Sequence, residues 1–539
     1  MSKDTLRMVI GFVVIMVILV AWQMLYRPTP RPAPAETPAQ AETASANPPG
    51  ANLAAQPSSP APAFEPPKKP SPLLSGAPVA ETTFVLENDF LRLEFSNVGG
   101  VLRSAWLKKY RAELVPEGNT ILSTLLLTSS DTLDLSDTRL HATATDSSVV
   151  FTLEADNIAL TRKFVIGPDY TVTQQTELSG ATGFILNVGA GIAVTEENAK
   201  EDLTHFHFFV RTENRVQRIA PRSCKNPQIT ARADWAGLKS KYFFIAAVSR
   251  QHEFQSTCVQ ALPDGRLGFT ASVNAPSSEL LFYLGPVEYH RLKSFHLGFE
   301  EAVSLGWAKP IALGILWLLR LLYRVFRNWG VAIIIFSTIM KAAFYPLTRS
   351  QTRQMRQMQL LQPKLNELKV KYKDNPQALN QETMQLYKLY RINPLSGCLP
   401  MLVQLPVFWA LYTVLRSFVD LRGAGFVLWL KDLSQPDTLF GHLPFLGNPA
   451  IGLLPILMGA SFIAQNMLTT TDKKNWALTV IFPIFITVMF LNFPSGLQLY
   501  WFTYNILSIL ESMIGLRGGK IWLRQIPKKA LPSAAADQK

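Results

Sequence analysis

The segment Trp329–Leu347, WGVAIIIFSTIMKAAFYPL, decides the fold class because Lys341 is the single charged residue in a predominantly apolar run. At about 1.5 Å of rise per residue, a helix of this length comes close to crossing a bilayer core of roughly 30 Å. A charge at that depth costs about 2.5–3.5 kcal/mol on insertion scales, and it generally faces protein or water rather than lipid. The segment therefore predicts a membrane-spanning helix that carries a polar site at Lys341.

Six spans are predicted along the chain. Besides Trp329–Leu347 they are Met8–Tyr26, Gly397–Val414, Ile451–Thr470, Trp476–Asn492 and Leu497–Gly515. The apolar segment Leu305–Phe326 differs, because Arg320 and Arg324 recur at helical spacing on one side of it. We expect this segment to form an amphipathic helix in the membrane interface, since a seventh span here would invert every later segment.

The N-terminal span has two interpretations. Lys3 and Arg7 precede Met8–Tyr26, a pattern shared by cleaved signal peptides and retained anchors. Small-residue cleavage candidates occur only well beyond the apolar core, which favours a retained anchor over residues 1–27. Residues 28–80 are rich in Pro, Ala, Ser and Gln and lack the apolar content of a core, so we expect an extended linker.

Residues 81–303 change to the period of a β-strand. Leu91, Leu93 and Phe95 alternate with polar residues, and Val149–Leu153 is a further strand-like run. We expect one large, mainly β, soluble domain with a few helices. The segment Trp235–Val248, WAGLKSKYFFIAAV, is predicted to be one of those helices.

The distribution of positive charge predicts the orientation of the chain, whose net charge is +13. Basic residues are frequent in the loop 349–391, at Lys473 and Lys474 in a short connection, and in the tail from Arg517 onward. By the positive-inside rule, all three regions lie in the cytoplasm only if the first anchor runs from inside to outside. This orientation places both termini in the cytoplasm and the β domain on the outer face.

Residues 349–393 predict a basic, cytoplasmic helical hairpin. Gln351–Lys371 and Gln377–Tyr390 favour helix, and Asn375-Pro376 between them is a natural turn. Such a hairpin can contact lipid headgroups, ribosomal RNA or an acidic protein, or it can be a solvated loop on the positive side of the membrane. The sequence leaves these alternatives open.

Polar residues recur at helical spacing on several predicted spans. Ser337, Thr338, Lys341 and Tyr345 share one face of the second span. Further polar positions are Gln404 in the third span, Ser461, Gln465 and Asn466 in the fourth, and Trp501, Tyr504, Asn505, Ser508, Glu511 and Ser512 in the sixth. Converging stripes would line a water-filled cavity. Alternatively, these groups make interhelical hydrogen bonds, Lys341 snorkels to the interface, and Glu511 pairs with it as a structural contact.

Catalytic motifs give no indication of an enzyme. The patterns G-x-x-x-x-G-K-[ST], H-E-x-x-H and G-x-S-x-G are absent, and no Cys/His cluster has metal-ligand spacing. We therefore expect no enzymatic activity, no cofactor and no metal. Cys224 and Cys258 lie in the β domain, where a disulfide is weakly supported, and Cys398 lies in an apolar span.

Several sequence blocks together resemble a known family. They are Tyr345–Leu347 (YPL), Leu360–Lys364 (LLQPK), Asn393–Tyr412 (NPLSGCLPMLVQLPVFWALY) and Asn492–Tyr500 (NFPSGLQLY). In this order and spacing they resemble the YidC membrane protein insertases of the wider YidC/Oxa/Alb family. The resemblance covers roughly residues 305–516, and Leu86–Gly100 (LENDFLRLEFSNVGG) resembles the large periplasmic domain of Gram-negative members.

The resemblance implies a fold, a function and partners. The implied fold is a polytopic α-helical membrane protein with a five-helix insertase core and a periplasmic β-supersandwich of the sugar-mutarotase type. The implied function is to insert, fold and help assemble inner-membrane proteins and some lipoproteins, both with and without the Sec translocon. The implied partners are nascent membrane proteins, the Sec translocon with its accessory subunits, membrane lipids, and the ribosome, which would contact the hairpin and the basic tail 517–539.

The resemblance also implies a substrate groove that is open to the cytoplasm and the lipid, with a basic residue in the second span. The implied groove residues are Lys341, Ser337, Thr338, Gln404, Tyr500, Trp501 and Asn505, and the implied slide for an apolar client segment is Phe408 and Phe490. The bacterial family usually has arginine at the position of Lys341. Lysine keeps the charge but loses the planar guanidinium, so an electrostatic role is retained and a bidentate one is not.

Two other functions are compatible with parts of the sequence. One is a secondary transporter that uses Lys341 for an anionic solute, although no second segment resembles Trp329–Leu347 as internal repeats would require. The other is an outer-face binding protein with a passive anchor, which leaves the polar stripes unexplained. The expected limits of the remaining parts are 304–327 for the interfacial helix, 328–348 for the second span and 394–516 for spans three to six.

Overall fold

The computed structural model describes residues 81–129, 131–155, 157–213, 215–390, 399–442, 450–469 and 480–517. The predicted first anchor, the linker, Cys398 and the tail after residue 517 lie outside these ranges.

The region from residue 83 to residue 286 is built from strands arranged in three antiparallel sheets. The sheet orders are β1-β2-β3-β4, β13-β12-β15-β16-β19-β10-β9-β8-β7 and β14-β17-β18-β11-β5-β6. The strands are β1 (Thr83–Glu87), β2 (Leu91–Ser96), β3 (Val101–Leu107), β4 (Ala112–Glu113), β5 (Ser123–Leu127), β6 (Thr132–Asp134), β7 (His141–Ala144), β8 (Ser148–Ala155), β9 (Ile158–Ile166), β10 (Thr171–Ser179), β11 (Gly183–Val188), β12 (His207–Thr212), β13 (Arg215–Ile219), β14 (Gln228–Ala233), β15 (Trp235–Lys239), β16 (Phe243–Ser249), β17 (Phe254–Ala261), β18 (Leu267–Val273) and β19 (Ser277–Pro286).

The period-two pattern of the sequence corresponds to one buried face per strand. In β8, Val149, Phe151 and Leu153 are buried while their neighbours are partly exposed. These side chains belong to one continuous hydrophobic core that receives residues from all three sheets. Burial of apolar surface, at roughly 25 cal/mol per Å², is the main stabilising term. The prediction of a mainly β domain is therefore confirmed.

The prediction of a helix over Trp235–Val248 is wrong. This segment forms strands β15 and β16, which pair antiparallel with Trp235 opposite Val248. Both strands lie inside the nine-stranded sheet, and every residue of β15 is buried. A strand covered on both faces shows a continuous apolar run instead of alternation, and such a run is hard to distinguish from a buried helix.

The region C-terminal to the sheets is helical. Two short helices, α1 (Ala199–Leu203) and α2 (Tyr289–Ser294), belong to the β domain. The longer helices are α3 (Lys309–Phe326), α4 (Trp329–Ala343), α5 (Tyr345–Lys371), α6 (Pro376–Leu389), α7 (Leu399–Ser417), α8 (Leu453–Thr469), α9 (Phe482–Phe490) and α10 (Ser495–Arg517). Short 3-10 turns cover Pro221–Ser223, Phe299–Ala302 and Val419–Leu421.

Helix α4 is shorter than the predicted second span. It ends at Ala343, and Phe344 separates it from α5, so the predicted end of the span at residue 348 is wrong. Pro346 explains the break, because it has no backbone N–H to continue the hydrogen bonds of α4. Lys341 consequently lies in the last turn of α4, where the helix macrodipole favours a positive charge.

Helices α5 and α6 form the predicted hairpin. The Asn375 side chain accepts a hydrogen bond of 3.1 Å from the backbone N–H of Ala378, and Pro376 occupies the first turn of α6. Leu361 of α5 packs against Tyr390, which follows α6. The two predicted helices are confirmed, although α5 starts immediately after α4 rather than at residue 351.

Helices α3, α4, α7, α8, α9 and α10 contribute to a second hydrophobic core. Its buried members include Ile315, Leu319, Ile333, Phe336, Leu411, Val414, Met458, Phe490 and Leu497. Helix α10 packs mainly against α8 and α4, while α3 packs against α4 and α7. Within the described ranges, none of the helices combines the length and apolarity needed to cross a bilayer. Helix α3 confirms the expected helix, and its burial of Ala312, Ile315, Leu316 and Leu319 leaves Trp317 and Val325 exposed.

The β domain is fastened to the helical region through the loop that follows α7. Val419 of this loop is part of the core of the β domain. Asp420 pairs with Lys109 at 2.8 Å, and Arg416 at the end of α7 lies 3.5 Å from Glu201 of α1. The two regions are therefore joined by both apolar and charged contacts.

The two cysteines of the β domain do not form a disulfide. Both thiols are free, and burial raises the pKa of Cys224 and of Cys258. The Sγ atom of Cys224 lies 3.3 Å from the carbonyl oxygen of Val259. The weakly supported disulfide is absent from this structure.

Candidate functional site

Lys341 lies against helix α10, not in open space. Its Nζ is 2.7 Å from Oε2 of Glu511 and donates a hydrogen bond of 2.8 Å to Oγ of Ser508. The same ammonium lies 4.8 Å from the centre of the Tyr504 ring, a cation–π distance. The Lys341 side chain is 11% exposed, so its charge is largely neutralised inside the protein.

The partners of Lys341 come from one face of α10. Tyr504, Ser508 and Glu511 are spaced by four and three residues, which aligns them along the helix. The Oε1 atom of Glu511 accepts a hydrogen bond of 3.3 Å from Thr348 at the start of α5. This ion pair therefore connects α4, α5 and α10.

Ser337 and Thr338 do not join this cluster by hydrogen bonding. Their hydroxyls donate to the carbonyls of Ile333 at 2.7 Å and Ile334 at 3.0 Å, four residues earlier in α4. Ser337 is fully buried and Thr338 is exposed. Serine and threonine commonly satisfy themselves in this way within helices.

Gln404 and Tyr500 form a second polar contact. The Gln404 amide donates to the Tyr500 hydroxyl at 2.7 Å. The ring of Tyr500 lies 6.0 Å from that of Tyr504 and 6.2 Å from that of Trp501. Tyr504 in turn touches Lys341, so a continuous row of side chains runs from the ion pair to Gln404 and Trp501.

The predicted slide residues meet at the end of this row. The rings of Phe408 and Phe490 lie 6.1 Å apart, and Trp501 lies 5.8 Å from Phe408 and 5.9 Å from Phe490. The indole N–H of Trp501 is buried and has no hydrogen-bond partner among the residues that the structure describes. The result is an apolar aromatic cluster with one unused donor.

Asn505 has a different environment from the other predicted groove residues. Its amide donates to Oγ of Ser461 at 3.1 Å, and its side chain is 1% exposed. It joins α10 to α8, an interhelical contact of the kind that the sequence left open as an alternative. The site accordingly groups Lys341, Gln404, Tyr500 and Trp501 but leaves Asn505 on another contact.

Three members of the row were absent from the predicted groove. They are Tyr504, Ser508 and Glu511, and the stripe on the sixth predicted span was the available signal for all of them. The spacing also indicated the pairing of Glu511 with Lys341, and the distance of 2.7 Å confirms it. Thr348 carried no signal, because its contact depends on the break between α4 and α5.

The chemistry of the row is binding rather than catalysis. It combines a compact cation, an acceptor of competing charge and a large aromatic surface. Among the described residues, no group of His, Cys, Asp and Glu side chains could hold a metal ion. The arrangement can pair with a carboxylate at one end and pack against apolar side chains at the other.

Comparison with known proteins identifies the family. The family profile described as "YidC periplasmic domain" matches residues 83–318, and that described as "60Kd inner membrane protein" matches residues 321–520. A protein of Geotalea daltonii named membrane protein insertase YidC is 31% identical over 94% of this chain and 98% of its own length. The protein of the same name from Pelobacter propionicus is 41% identical over 52% of this chain and 53% of its own length.

Among solved structures, a YidC insertase crystal structure aligns with 80% of this chain and 93% of that chain. The sequence identity is 19% and the TM-score is 0.39. The alignments with several of the most similar relatives span about half of their length, whereas the Geotalea daltonii protein is matched almost end to end. Family membership implies an inner-membrane protein with a mainly β periplasmic domain. This chain belongs to the YidC family of membrane protein insertases.

Proposed function

We propose that this protein inserts other proteins into the inner membrane, and that the row from Lys341 to Phe408 and Phe490 contacts the client. The observation that carries this proposal is the position of Lys341, a cation held beside the aromatic row of α10. Family membership supports the same function, since the relatives are named membrane protein insertases.

The proposed mechanism separates the polar and apolar parts of a client. An unpaired polar group loses several kcal/mol (roughly 2–7) on entering hydrocarbon, so a polar site part of the way across lowers the barrier. Lys341 attracts acidic residues of the segment that must cross. The apolar segment packs against Phe408, Phe490 and Trp501 and then enters the lipid, where burial at roughly 25 cal/mol per Å² supplies the driving force.

The proposed topology has six spans, with both termini in the cytoplasm and the β-supersandwich domain in the periplasm. The profile match of residues 83–318 to a periplasmic domain supports the location of the β domain. The basic hairpin α5–α6 supports a cytoplasmic location for the loop between the second and third spans.

The finer activities are also proposals. We infer that the protein acts both alone and together with the Sec translocon, assists folding, and processes some lipoproteins. The hairpin α5–α6 and the basic tail would contact the ribosome, because clustered Lys and Arg side chains bind nucleic acid phosphates. The exposed apolar residues Trp317 and Val325 of α3 would contact lipid.

The test is complementation in a strain depleted of its own insertase. Cells should grow, and a small client with an acidic outer segment should be inserted, with the wild type and with Lys341→Arg but poorly with Lys341→Ala. A photocrosslinker at position 501 should capture a stalled nascent client. Absence of growth and of crosslinks with the wild-type chain would refute the insertase function, whereas equal activity of Lys341→Ala would refute the role of the charge.

A further inference from the structure

The ion pair of Lys341 and Glu511 has a consequence for client selection. We propose that Glu511 is an internal competitor for the client: it occupies Lys341 when no client is bound, and a client carboxylate binds Lys341 by displacing it. This inference rests on the proposed insertase function and adds a residue that determines specificity.

The first observation is that the Lys341 ammonium is already occupied. It has three donors, and its contacts are Glu511 at 2.7 Å, Ser508 at 2.8 Å and the Tyr504 ring at 4.8 Å. An incoming group therefore cannot simply add to the ammonium. It must replace one of these contacts, and Glu511 is the only one that matches a client carboxylate in charge.

The second observation is that Glu511 is held less tightly than Lys341. Its other oxygen has a hydrogen bond of 3.3 Å to Thr348, longer than typical for an O–H donor. The Glu511 side chain is 18% exposed, compared with 11% for Lys341. Glu511 therefore has a route towards water, which would hydrate its charge once a client had replaced it.

The third observation concerns what can replace Glu511. Removing one partner of a poorly exposed ion pair leaves an uncompensated charge, which is strongly unfavourable. A neutral polar segment offers Lys341 no compensating charge, and a basic segment repels it. A client carboxylate restores the same contact, so the exchange is nearly balanced. Glu511 thus sets a threshold that favours acidic segments by penalising the others.

The competing explanation is that the pair only joins α4 to α10. A structural contact and a competitor respond differently when the charges are exchanged. In Lys341→Glu/Glu511→Lys, the pair can re-form and a structural role is restored. A competitor instead has its preference inverted, because the residue on α4 is now acidic and binds basic clients.

The experiment uses the full chain in membranes with a photocrosslinker at position 501. Three stalled nascent clients differ at one polar position, which carries Asp, Asn or Lys. We expect the wild type to crosslink the Asp client best. Glu511→Gln should raise that yield by at least about fivefold, the lower end of typical coupling effects. The exchanged double variant should prefer the Lys client.

Each result has a defined meaning. If the exchanged variant still prefers the Asp client, or if Glu511→Gln changes all three clients equally, the competition is overturned. If the wild type crosslinks none of the clients, the proposed insertase function fails instead. Protease resistance of each variant checks its folding, and Glu511→Asp, which keeps the charge, replaces Glu511→Gln if the latter does not fold. Glu177→Gln, on the exposed face of β10, is the matched control and should leave all three yields unchanged.

Discussion

The guanidinium of Arg422, in the loop after α7, is paired with the carboxylate of Glu196 in the β domain at 2.7 Å. Two further hydrogen bonds run from Arg422 to the carbonyls of Tyr110 at 2.6 Å and Thr195 at 2.9 Å. The second oxygen of Glu196 accepts from Gln435 at 2.7 Å. Burial raises the pKa of Glu196, and the charge of Arg422 opposes this shift. One side chain therefore fixes the β domain on the helical region.

Arg422→Ala should loosen this junction. Glu196 is 5% exposed, and loss of its partner leaves a buried carboxylate, which we expect to cost about 3 kcal/mol. Arg422→Lys should recover part of this, because lysine keeps the charge but not the several directed donors. The measurement is the rate of limited proteolysis between the β domain and α7. The exposed Arg222 offers the control Arg222→Ala, and equal proteolysis of the two alanine variants would contradict the role of Arg422.

Two helix glycines should respond oppositely to alanine. A Cβ atom at Gly330, in the first turn of α4, would lie 2.1 Å from the Phe426 side chain, whereas one at Gly314 in α3 meets nothing within 4 Å. Gly314→Ala should stabilise by roughly 0.5–1 kcal/mol through lower chain entropy. Gly330→Ala should destabilise by roughly 1–3 kcal/mol, because the clash outweighs that gain.

Thermal unfolding in detergent checks the sign of both changes. The double variant Gly330→Ala/Phe426→Ala should be less destabilised than the sum of its single changes, since the clash is removed. A Gly330→Ala midpoint that rises like that of Gly314→Ala would show that Phe426 does not pack against α4.

Lys239 predicts a pH dependence of the β domain. Its side chain is 4% exposed, and burial lowers its pKa to about 7, with nearby Arg218 acting in the same direction. The pKa of an exposed lysine is about 10.4, so between these values the unfolded chain binds the proton that the folded chain lacks. Stability therefore rises as the pH rises from about 7, by at most ~1.4 kcal/mol per pH unit.

Lys239→Met should raise stability at pH 7 and reduce this rise between pH 7 and pH 9. The measurement is the far-UV circular dichroism melting midpoint at both pH values, and the exposed Lys225 provides the control Lys225→Met. Parallel curves for Lys239→Met and the wild type would contradict a neutral, buried Lys239.

Trp501 tests which part of the aromatic cluster acts on the client. Trp501→Phe should keep the packing against Phe408 and Phe490 and lose only the indole donor, while Trp501→Ala should lose roughly 3–5 kcal/mol of packing. If the surface acts by apolar contact, insertion in the depletion strain should persist in Trp501→Phe and fall in Trp501→Ala. Loss of insertion in Trp501→Phe, with a normal melting midpoint, would instead assign a role to the indole N–H.

Local signals predicted a large part of the fold. Alternation at Leu91, Leu93 and Phe95 indicated strands, and Asn375-Pro376 indicated the turn of the hairpin. Helical spacing put Lys341 and Glu511 on polar stripes of two segments, and their contact is confirmed at 2.7 Å. These features depend on side-chain period and backbone geometry, which a short window of sequence contains.

Three-dimensional contacts decided the rest. Trp235–Val248 is a pair of strands because both of its faces are covered by other parts of the chain, and no local period records that. Arg422 and Glu196 are 226 positions apart, so their pairing depends on how the β domain meets the loop after α7. The sequence by itself determined which segments are strands or helices in most places and where the charges lie. Only the tertiary structure decided which charges meet, because an ion pair requires two distant segments to be brought within a few ångströms.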